Sequence, residues 1–146
     1  MSQVVDFEQL VSNVGDAVVV SDAHGSIVVW NSAAERIFGF TEEEALGRTL
    51  DLITPDRHRR RHWDGYHTTV QTGVTRYGSD VLRVPAVHKD GHTLSIAFTV
   101  GLLFDDARTV TGITAVIRDE TSRWNEERQL RARLRELEAL RDTRQG

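Results

Sequence analysis

The sequence predicts an α+β fold: a five-stranded antiparallel sheet with helices inserted after strand two, followed by a C-terminal helix. The first observation is the order of the patterns, since two β-rich runs precede a block with helical spacing and three more β-rich runs follow it. The second is that short turns join neighbouring runs, which favours antiparallel pairing. The third is a final segment rich in Arg, Glu and Leu, which contains no Gly or Pro until Gly146 and therefore indicates a helix.

The first part of the chain alternates between helix and strand patterns. Apolar residues at helical spacing predict a short helix over residues 3–13. Residues 17–22 and 26–31 are rich in Val and Ile and are separated by a short turn that contains glycine, so they predict a β-hairpin. Two small helices are expected next, over residues 33–38 and, from a capping-box pattern, over residues 41–47.

The middle of the chain predicts one longer helix and three strands. A helical turn over residues 50–53 ends before a proline, and a helix over residues 56–71 is closed by a glycine. Strands are expected over residues 79–87, 93–104 and 109–118, because each run is rich in β-branched residues and is bounded by turn residues.

The segment after residue 120 predicts a helix that projects an apolar seam. Leu130, Leu134 and Leu137 are spaced by four and then three residues, which is typical of a coiled coil between two copies of the chain. The alternative is an amphipathic helix that folds back on its own domain.

Composition excludes several classes of chemistry. The chain has 146 residues, 39% hydrophobic and 27% charged, a size at which a core forms without disulfides or a structural metal. It contains no cysteine, which excludes thiolate nucleophiles, cysteine-ligated clusters and flavin–cysteinyl light sensing. A net charge of −4 gives no global attraction for nucleic acid or for an anionic membrane, so neither is expected as a direct partner.

Catalytic and targeting motifs are not found in the sequence. It has no glycine-rich phosphate loop, no nucleophile elbow and no carboxylate pair with an acid–base partner, so an enzyme is not expected. The N-terminus lacks the basic start and apolar stretch of a signal peptide, and no segment approaches about 18 uninterrupted apolar residues, which predicts a cytoplasmic location.

Several stretches of the sequence carry a family resemblance. They are Asp16-Ala17-Val18-Val19-Val20-Ser21-Asp22, Ala33-Ala34-Glu35-Arg36-Ile37-Phe38-Gly39-Phe40, Glu44-Ala45-Leu46-Gly47, Lys89-Asp90-Gly91 and Ile117-Arg118-Asp119-Glu120-Thr121. Over about residues 7–120 the chain resembles the PAS domain family. The resemblance implies an N-terminal helix at residues 1–14, a PAS sensory domain at residues 15–120 and a signalling or coiled-coil helix at residues 121–146.

A second resemblance concerns the long central helix. Pro55-Asp56-Arg57 and Arg61-His62, followed by the helix to Tyr66, are similar to the haem-binding oxygen-sensor PAS group, which includes the nitrogen-fixation oxygen-sensor kinases. The resemblance implies that His62 is the metal ligand, holding the iron of haem b, with Tyr66 on the same helix. Neutral imidazole is a good axial ligand for haem iron.

The same resemblance assigns the opposite wall of the pocket. Ile96, Phe98 and Val100 alternate along one strand and fall on the distal wall. The gas-binding arginine of the oxygen sensors falls on Leu82, with Arg83 one residue away and therefore on the opposite strand face. Either the strand shifts by one residue or the pocket lacks that donor, and the second alternative would remove the basis for oxygen specificity. The resemblance implies gas or redox sensing.

Other polar clusters have simpler explanations. His58 and His62 share a helix face but have no third ligand, so a zinc site is not expected. The basic run at residues 57–62 is typical of a solvated helix face, although it could pair with haem propionates or another anion. The remaining turn histidines, which are expected to be solvated, are His24, His88 and His92.

Two functions from different classes follow. The first is a sensor in signal transduction that binds a small molecule, with haem b as the candidate, and relays the change through the C-terminal helix. The alternative is a cofactor-free PAS dimerisation or protein-interaction module; a flavin or an organic acid is a third ligand class. A homodimer is expected, with an effector on another chain, a kinase or a transcriptional regulator, if the sequence is complete.

Overall fold

The computed structural model describes residues 4–75 and 80–145. Its elements follow the expected order. They are α1 (Phe7–Asn13), β1 (Ala17–Asp22), β2 (Ile27–Trp30), α2 (Ser32–Phe38), α3 (Glu42–Ala45), a 3₁₀ turn (Leu50–Leu52), α4 (Asp56–Thr72), β3 (Leu82–Val87), β4 (Thr93–Phe104), β5 (Val110–Asp119) and α5 (Thr121–Gln145).

Two predicted boundaries differ from the structure by three residues or more, and the others by at most two. The first helix begins at Phe7, because the Asp6 side chain caps it by accepting a hydrogen bond from the Gln9 backbone at 3.1 Å. Residue 3, the predicted start, lies outside the described residues. Strand β3 begins at Leu82 within the described residues, and the predicted start at residue 79 also lies outside them.

The five strands form one antiparallel sheet in the order β2-β1-β5-β4-β3. The last strand therefore lies between the first and the fourth, which joins the N-terminal hairpin to the strands that follow the helices. This arrangement confirms the predicted α+β fold, with the helices inserted after strand two.

The core lies between one face of the sheet and the small helices. Sheet residues such as Ile27, Ile96 and Ile117 pack with Ala33 and Phe38 from α2 in one buried cluster. Phe38 is fully buried, and burial of such a side chain contributes about 2 kcal/mol to stability. The helices therefore attach to the sheet through small and aromatic side chains.

A capping box begins α3, as the sequence predicts, and a glycine ends α2. The Thr41 side chain accepts from the Glu44 backbone, and the Glu44 side chain accepts from the Thr41 backbone, so the capping box is confirmed. Gly39 ends α2 with φ +84, a left-handed conformation that favours glycine.

Asn31 is a buried polar junction between three elements. Its side-chain oxygen accepts from the backbone of Ala34 at 3.0 Å, which caps α2, and from Val18 in β1 at 2.9 Å. Its amide nitrogen donates to the carbonyls of Val11 in α1 at 2.9 Å and Asp16 at 3.1 Å. All of its hydrogen-bonding capacity is used, as a side chain that is 5% exposed requires.

The C-terminal helix α5 leaves the domain. Its start is fixed to β4, because Ser95 accepts from the Glu120 backbone at 2.8 Å and donates to the Thr121 hydroxyl at 3.0 Å. Its leucines are each more than half exposed: Leu130, Leu134, Leu137 and Leu140. The helix therefore does not fold back on its own domain. Among the described residues, no helix is long and apolar enough to span a bilayer.

Replacing Asn31 is expected to destabilise both the sheet and α2. Asn31→Ala removes the cap and leaves two backbone amides and two carbonyls without their partner, which should lower the free energy of unfolding by about 2 to 4 kcal/mol. Asn31→Asp keeps the acceptor oxygen and the cap but loses the donor, so it should lower the free energy of unfolding by less than Asn31→Ala does. Urea denaturation followed by circular dichroism measures both.

The matched control is Asn13→Ala, which changes an exposed asparagine at the end of α1. It should leave the midpoint close to that of wild type. Equal urea midpoints for Asn31→Ala and Asn13→Ala would contradict the stabilising role assigned to the Asn31 junction.

Candidate functional site

The candidate site is an aromatic cluster on α4. The rings of His62 and Trp63 lie 4.9 Å apart, those of His62 and Tyr66 5.9 Å apart, and those of Trp63 and Tyr66 5.3 Å apart. Trp63 lies over Gly25, in the turn between β1 and β2, so closely that a Cβ there would overlap the indole ring. A glycine is therefore required at this turn, where φ is also +91.

The Tyr66 hydroxyl fastens α4 to β1. It donates to the carbonyl of Asp22 and lies 2.8 Å from the hydroxyl of Ser21. Burial raises the pKa of the phenol, so Tyr66 stays neutral and keeps its proton for the hydrogen bond. The sequence resemblance assigned Tyr66 to the cofactor site, and the structure brings its ring beside His62.

Trp63 forms the second polar link from α4. Its Nε1 donates to the Asp51 carboxylate at 2.8 Å, which joins the helix to the 3₁₀ turn. The sequence analysis did not single out Trp63 or Asp51. A tryptophan next to the candidate ligand was the available signal, because buried indole nitrogens require an acceptor.

His62 carries a buried nitrogen with a free lone pair or proton. Its Nδ1 is buried and has no hydrogen-bond partner among the described residues. Burial lowers the pKa of His62, although the charge of Asp51 opposes the shift. The imidazole is therefore neutral near pH 7, the form in which a histidine binds a metal ion.

The predicted distal wall faces the core. Phe98 pairs with Leu82 on one side and with Ile117 on the other, so the three side chains lie in one row across the sheet. Ile96 is buried and Val100 is half-buried on the same face of β4. These apolar side chains lie on the sheet face that the small helices cover.

The two alternatives for β3 are distinguished by its register. Leu82 lies on the core side, level with Phe98, and Arg83 points to the opposite face. There Arg83 forms an ion pair with Glu120 at 3.4 Å, next to the start of α5. The strand therefore does not shift to bring Arg83 into the core.

Two open clefts border the start of α4, with volumes of about 430 and 520 Å³. Arg59 lines both, and it is held by an ion pair with Asp56 at 2.7 Å and a bond to the Thr54 carbonyl at 3.2 Å. His62 lines neither cleft. Elsewhere in the basic run Arg57, Arg60 and Arg61 are exposed, as expected of a solvated helix face.

Fold and sequence together define the class of the protein. The five-stranded sheet with helices between β2 and β3 matches the PAS fold family over residues 6–119. The chain belongs to the PAS family, whose domains are sensory modules.

Two curated relatives are a sensor protein and a histidine kinase by name. The chain is 31% identical over 131 residues to "Sensor protein FixL" of Bradyrhizobium diazoefficiens, covering 89% of this chain and 25% of that protein. It is 26% identical over 137 residues to "Cell-division control histidine kinase PdhS" of Brucella ovis, covering 94% and 13% respectively. The chain thus spans a quarter or less of these relatives, and it is a PAS sensor domain of the kind typical of histidine kinase signalling.

Solved structures show the same fold. A PAS domain from Colwellia psychrerythraea has a TM-score of 0.69 at 23% identity, covering 80% of this chain and 95% of that chain. The PAS domain of Bordetella pertussis BvgS has a TM-score of 0.63 at 20% identity, covering 89% and 94%. Both likenesses concern the fold alone.

The buried imidazole predicts a pH dependence of stability. Above the ordinary pKa of 6.5 both the folded and the unfolded chain hold neutral His62, which then has no effect. Below 6.5 the unfolded chain binds the proton first, so the free energy of unfolding falls until the pH passes the lower pKa of the folded state. Urea midpoints should therefore fall more steeply from about pH 7 to 5 for wild type than for His62→Phe.

The control for this measurement is His67→Phe, which changes an exposed histidine one turn further along α4. It should retain the slope of wild type. Equal slopes for wild type and His62→Phe would mean that His62 is not buried in its neutral form.

Proposed function

We propose that the chain is a cytoplasmic sensory module that binds a small molecule beside α4 and relays its state through α5. The candidate ligand is haem b, held by His62, and the effector is a kinase or a transcriptional regulator. The observation that carries the proposal is the Nδ1 atom of His62, which is buried and has no partner among the described residues. The module has no catalytic step of its own.

The donor chemistry fits haem. Bound haem would supply an iron centre that responds to a gas or to redox state. Burial keeps the His62 imidazole neutral and able to bind the metal, and the rings of Trp63 and Tyr66 restrict its orientation. The exposed arginines of the basic run would pair with the propionates.

The opposite wall supports a pocket without a hydrogen-bond donor on β3. Ile96, Phe98 and Val100 supply apolar surface from β4. Leu82, level with Phe98, stands at the position to which the resemblance assigns the gas-binding arginine of the oxygen sensors. Arg83 is turned to the outer face and pairs with Glu120. Discrimination between gases would therefore depend on apolar contacts and access. Because His62 lines neither open cleft, ligand binding would displace α4 from the sheet.

The relay would run along β4 into α5. Ser95, next to the wall residue Ile96, bonds through its backbone to both Glu120 and Thr121. A shift of β4 would therefore act directly on the first residues of α5, and ligand would favour one of two helix positions. In this division the segment at residues 1–14 contains α1, residues 15–120 are the sensory domain, and the signalling segment at residues 121–146 contains α5.

A cofactor-free dimerisation module is the second candidate, and the exposed seam on α5 favours it. Leu130, Leu134 and Leu137 are 51–68% exposed and follow coiled-coil spacing. The occupant would be the same helix of a second copy, which makes a homodimer. This seam is compatible with the sensor proposal, and it would be the whole function if no ligand binds.

Hemin titration tests the ligand. Adding hemin to the full chain should give a sharp Soret band with a stoichiometry of about one. His62→Ala should weaken hemin binding by at least about tenfold, and free imidazole should restore part of the band by occupying the vacated position. The matched control is His58→Ala, one turn earlier on α4, which should bind as wild type does.

Hemin binding of equal strength in His62→Ala and wild type would make the ligand assignment wrong. The absence of a Soret band in wild type would leave the cofactor-free module as the function.

A charge in the α5 seam tests the dimer. Leu134→Glu should weaken self-association by at least about tenfold in sedimentation equilibrium, because a buried carboxylate opposes helix pairing. Ala132→Glu introduces the same charge two residues earlier, away from the seam, and should associate as wild type does. Equal association of the two variants would mean that α5 is not the contact.

A further inference from the structure

A second cluster of metal-binding side chains lies in the turn between β3 and β4. His88, Asp90 and His92 place one ligand atom each within 4.8 Å of one another. Asp90 Oδ1 lies 3.3 Å from His88 Nδ1 and also contacts His92 Nδ1. The two imidazole rings are stacked with their centroids 4.5 Å apart. The sequence predicts both histidines to be solvated turn residues, whereas the structure brings them together.

The turn geometry fixes this arrangement. The His88 backbone donates to the His92 carbonyl at 2.9 Å, and Gly91 donates to the His88 carbonyl at 2.9 Å. Gly91 has φ +96, which lets the chain reverse within these few residues. Because Val87 pairs with Thr93, the next residues toward the turn, His88 and His92, lie opposite each other with Asp90 between them.

The cluster is anchored to the end of α2. The His88 ring lies against Gly39, where a Cβ would come within 2.5 Å of the ring, and its side chain is only 23% exposed. The Lys89 backbone donates to the Phe38 carbonyl at 2.9 Å, and the Lys89 ammonium pairs with Glu44. Lys89, the one cationic side chain of the turn at residues 88–92, thus pairs with a carboxylate outside the cluster. The contact with Gly39 holds His88 in place before any metal ion binds.

The chemistry of the three donors selects a class of metal. Two imidazoles and one carboxylate suit Zn²⁺ and its neighbours, whereas Mg²⁺ and Ca²⁺ prefer oxygen ligands alone. Asp90 and His92 are 62% and 53% exposed, which gives an ion access from solvent. We propose that the β3–β4 turn binds one zinc-class divalent ion through His88, Asp90 and His92, with water completing the coordination.

The proposed site is independent of the His62 site. It would join the β3–β4 turn more firmly to α2, because one ligand already lies against Gly39. A bound ion would therefore stabilise the folded chain by mass action. Neither the haem assignment nor the dimer is needed for this inference.

Zinc titration of the full, untagged and chelator-treated chain tests the site. Isothermal titration with Zn²⁺ alone should give saturable binding of one ion per chain. His92→Ala and Asp90→Ala should each weaken binding by at least about tenfold, since each removes a ligand from an exposed position. The matched control is His24→Ala, an exposed histidine in the β1–β2 turn, which should bind as wild type does.

Thermal denaturation gives a second readout. Zn²⁺ should raise the melting temperature of wild type and of His24→Ala but not of His92→Ala, and Mg²⁺ should raise none of them. Equal zinc affinity in His92→Ala and wild type would overturn the proposal, as would binding that His62→Ala abolishes. Binding that does not saturate at one ion per chain would also overturn it, because it would reflect scattered surface contacts.

Discussion

The attachment of α4 to the sheet is the constraint on which the site depends. Of the 17 residues of this helix only Tyr66 is buried, so apolar packing contributes little to its position. The helix is held instead by the Tyr66 hydroxyl on β1, by the Trp63–Asp51 hydrogen bond and by the fit of the indole over Gly25. An element with few buried contacts opens at a low free-energy cost. The candidate metal ligand, His62, is therefore carried by a helix with few buried contacts.

Local sequence patterns predicted most of the fold. The strands follow alternation and turn residues, and the cap at Thr41 depends on residues three apart, so both are readable from short windows. The Asn31 junction and the Gly25–Trp63 fit are different, because they join residues far apart in the chain. No periodicity within a window reports such contacts.

In the candidate site, too, contacts between residues far apart in the chain could not be predicted from the sequence. The resemblance supplied His62 and Tyr66, whose proximity follows from helical spacing, but not the acceptor for Trp63. The cluster at residues 88–92 can in principle be predicted from the sequence, since residues on either side of a short hairpin turn lie opposite each other. Its turn position predicts solvated side chains, whereas Gly39, distant in the sequence, provides the space that shelters the His88 ring.

The position of Arg83 links strand β3 to the base of α5. The ion pair with Glu120 places a charge of β3 at the base of α5, where Arg123 also approaches the same carboxylate at 3.8 Å. Exposed pairs of this kind contribute little to stability. They can still influence the orientation of α5, because Arg83 and Arg123 share the Glu120 carboxylate. Which of the two arginines lies closer to it depends on the position of β3.

Because α5 is long, a small change of its orientation at the base moves its far end by a large distance. With 25 residues it extends about 37 Å from the sheet. A tilt of about 10° at Thr121 would move its far end by roughly 6 Å, more than one helical turn. In the proposed relay the helix would act as a lever arm, which would convert small adjustments in the sheet into displacements that a partner could detect.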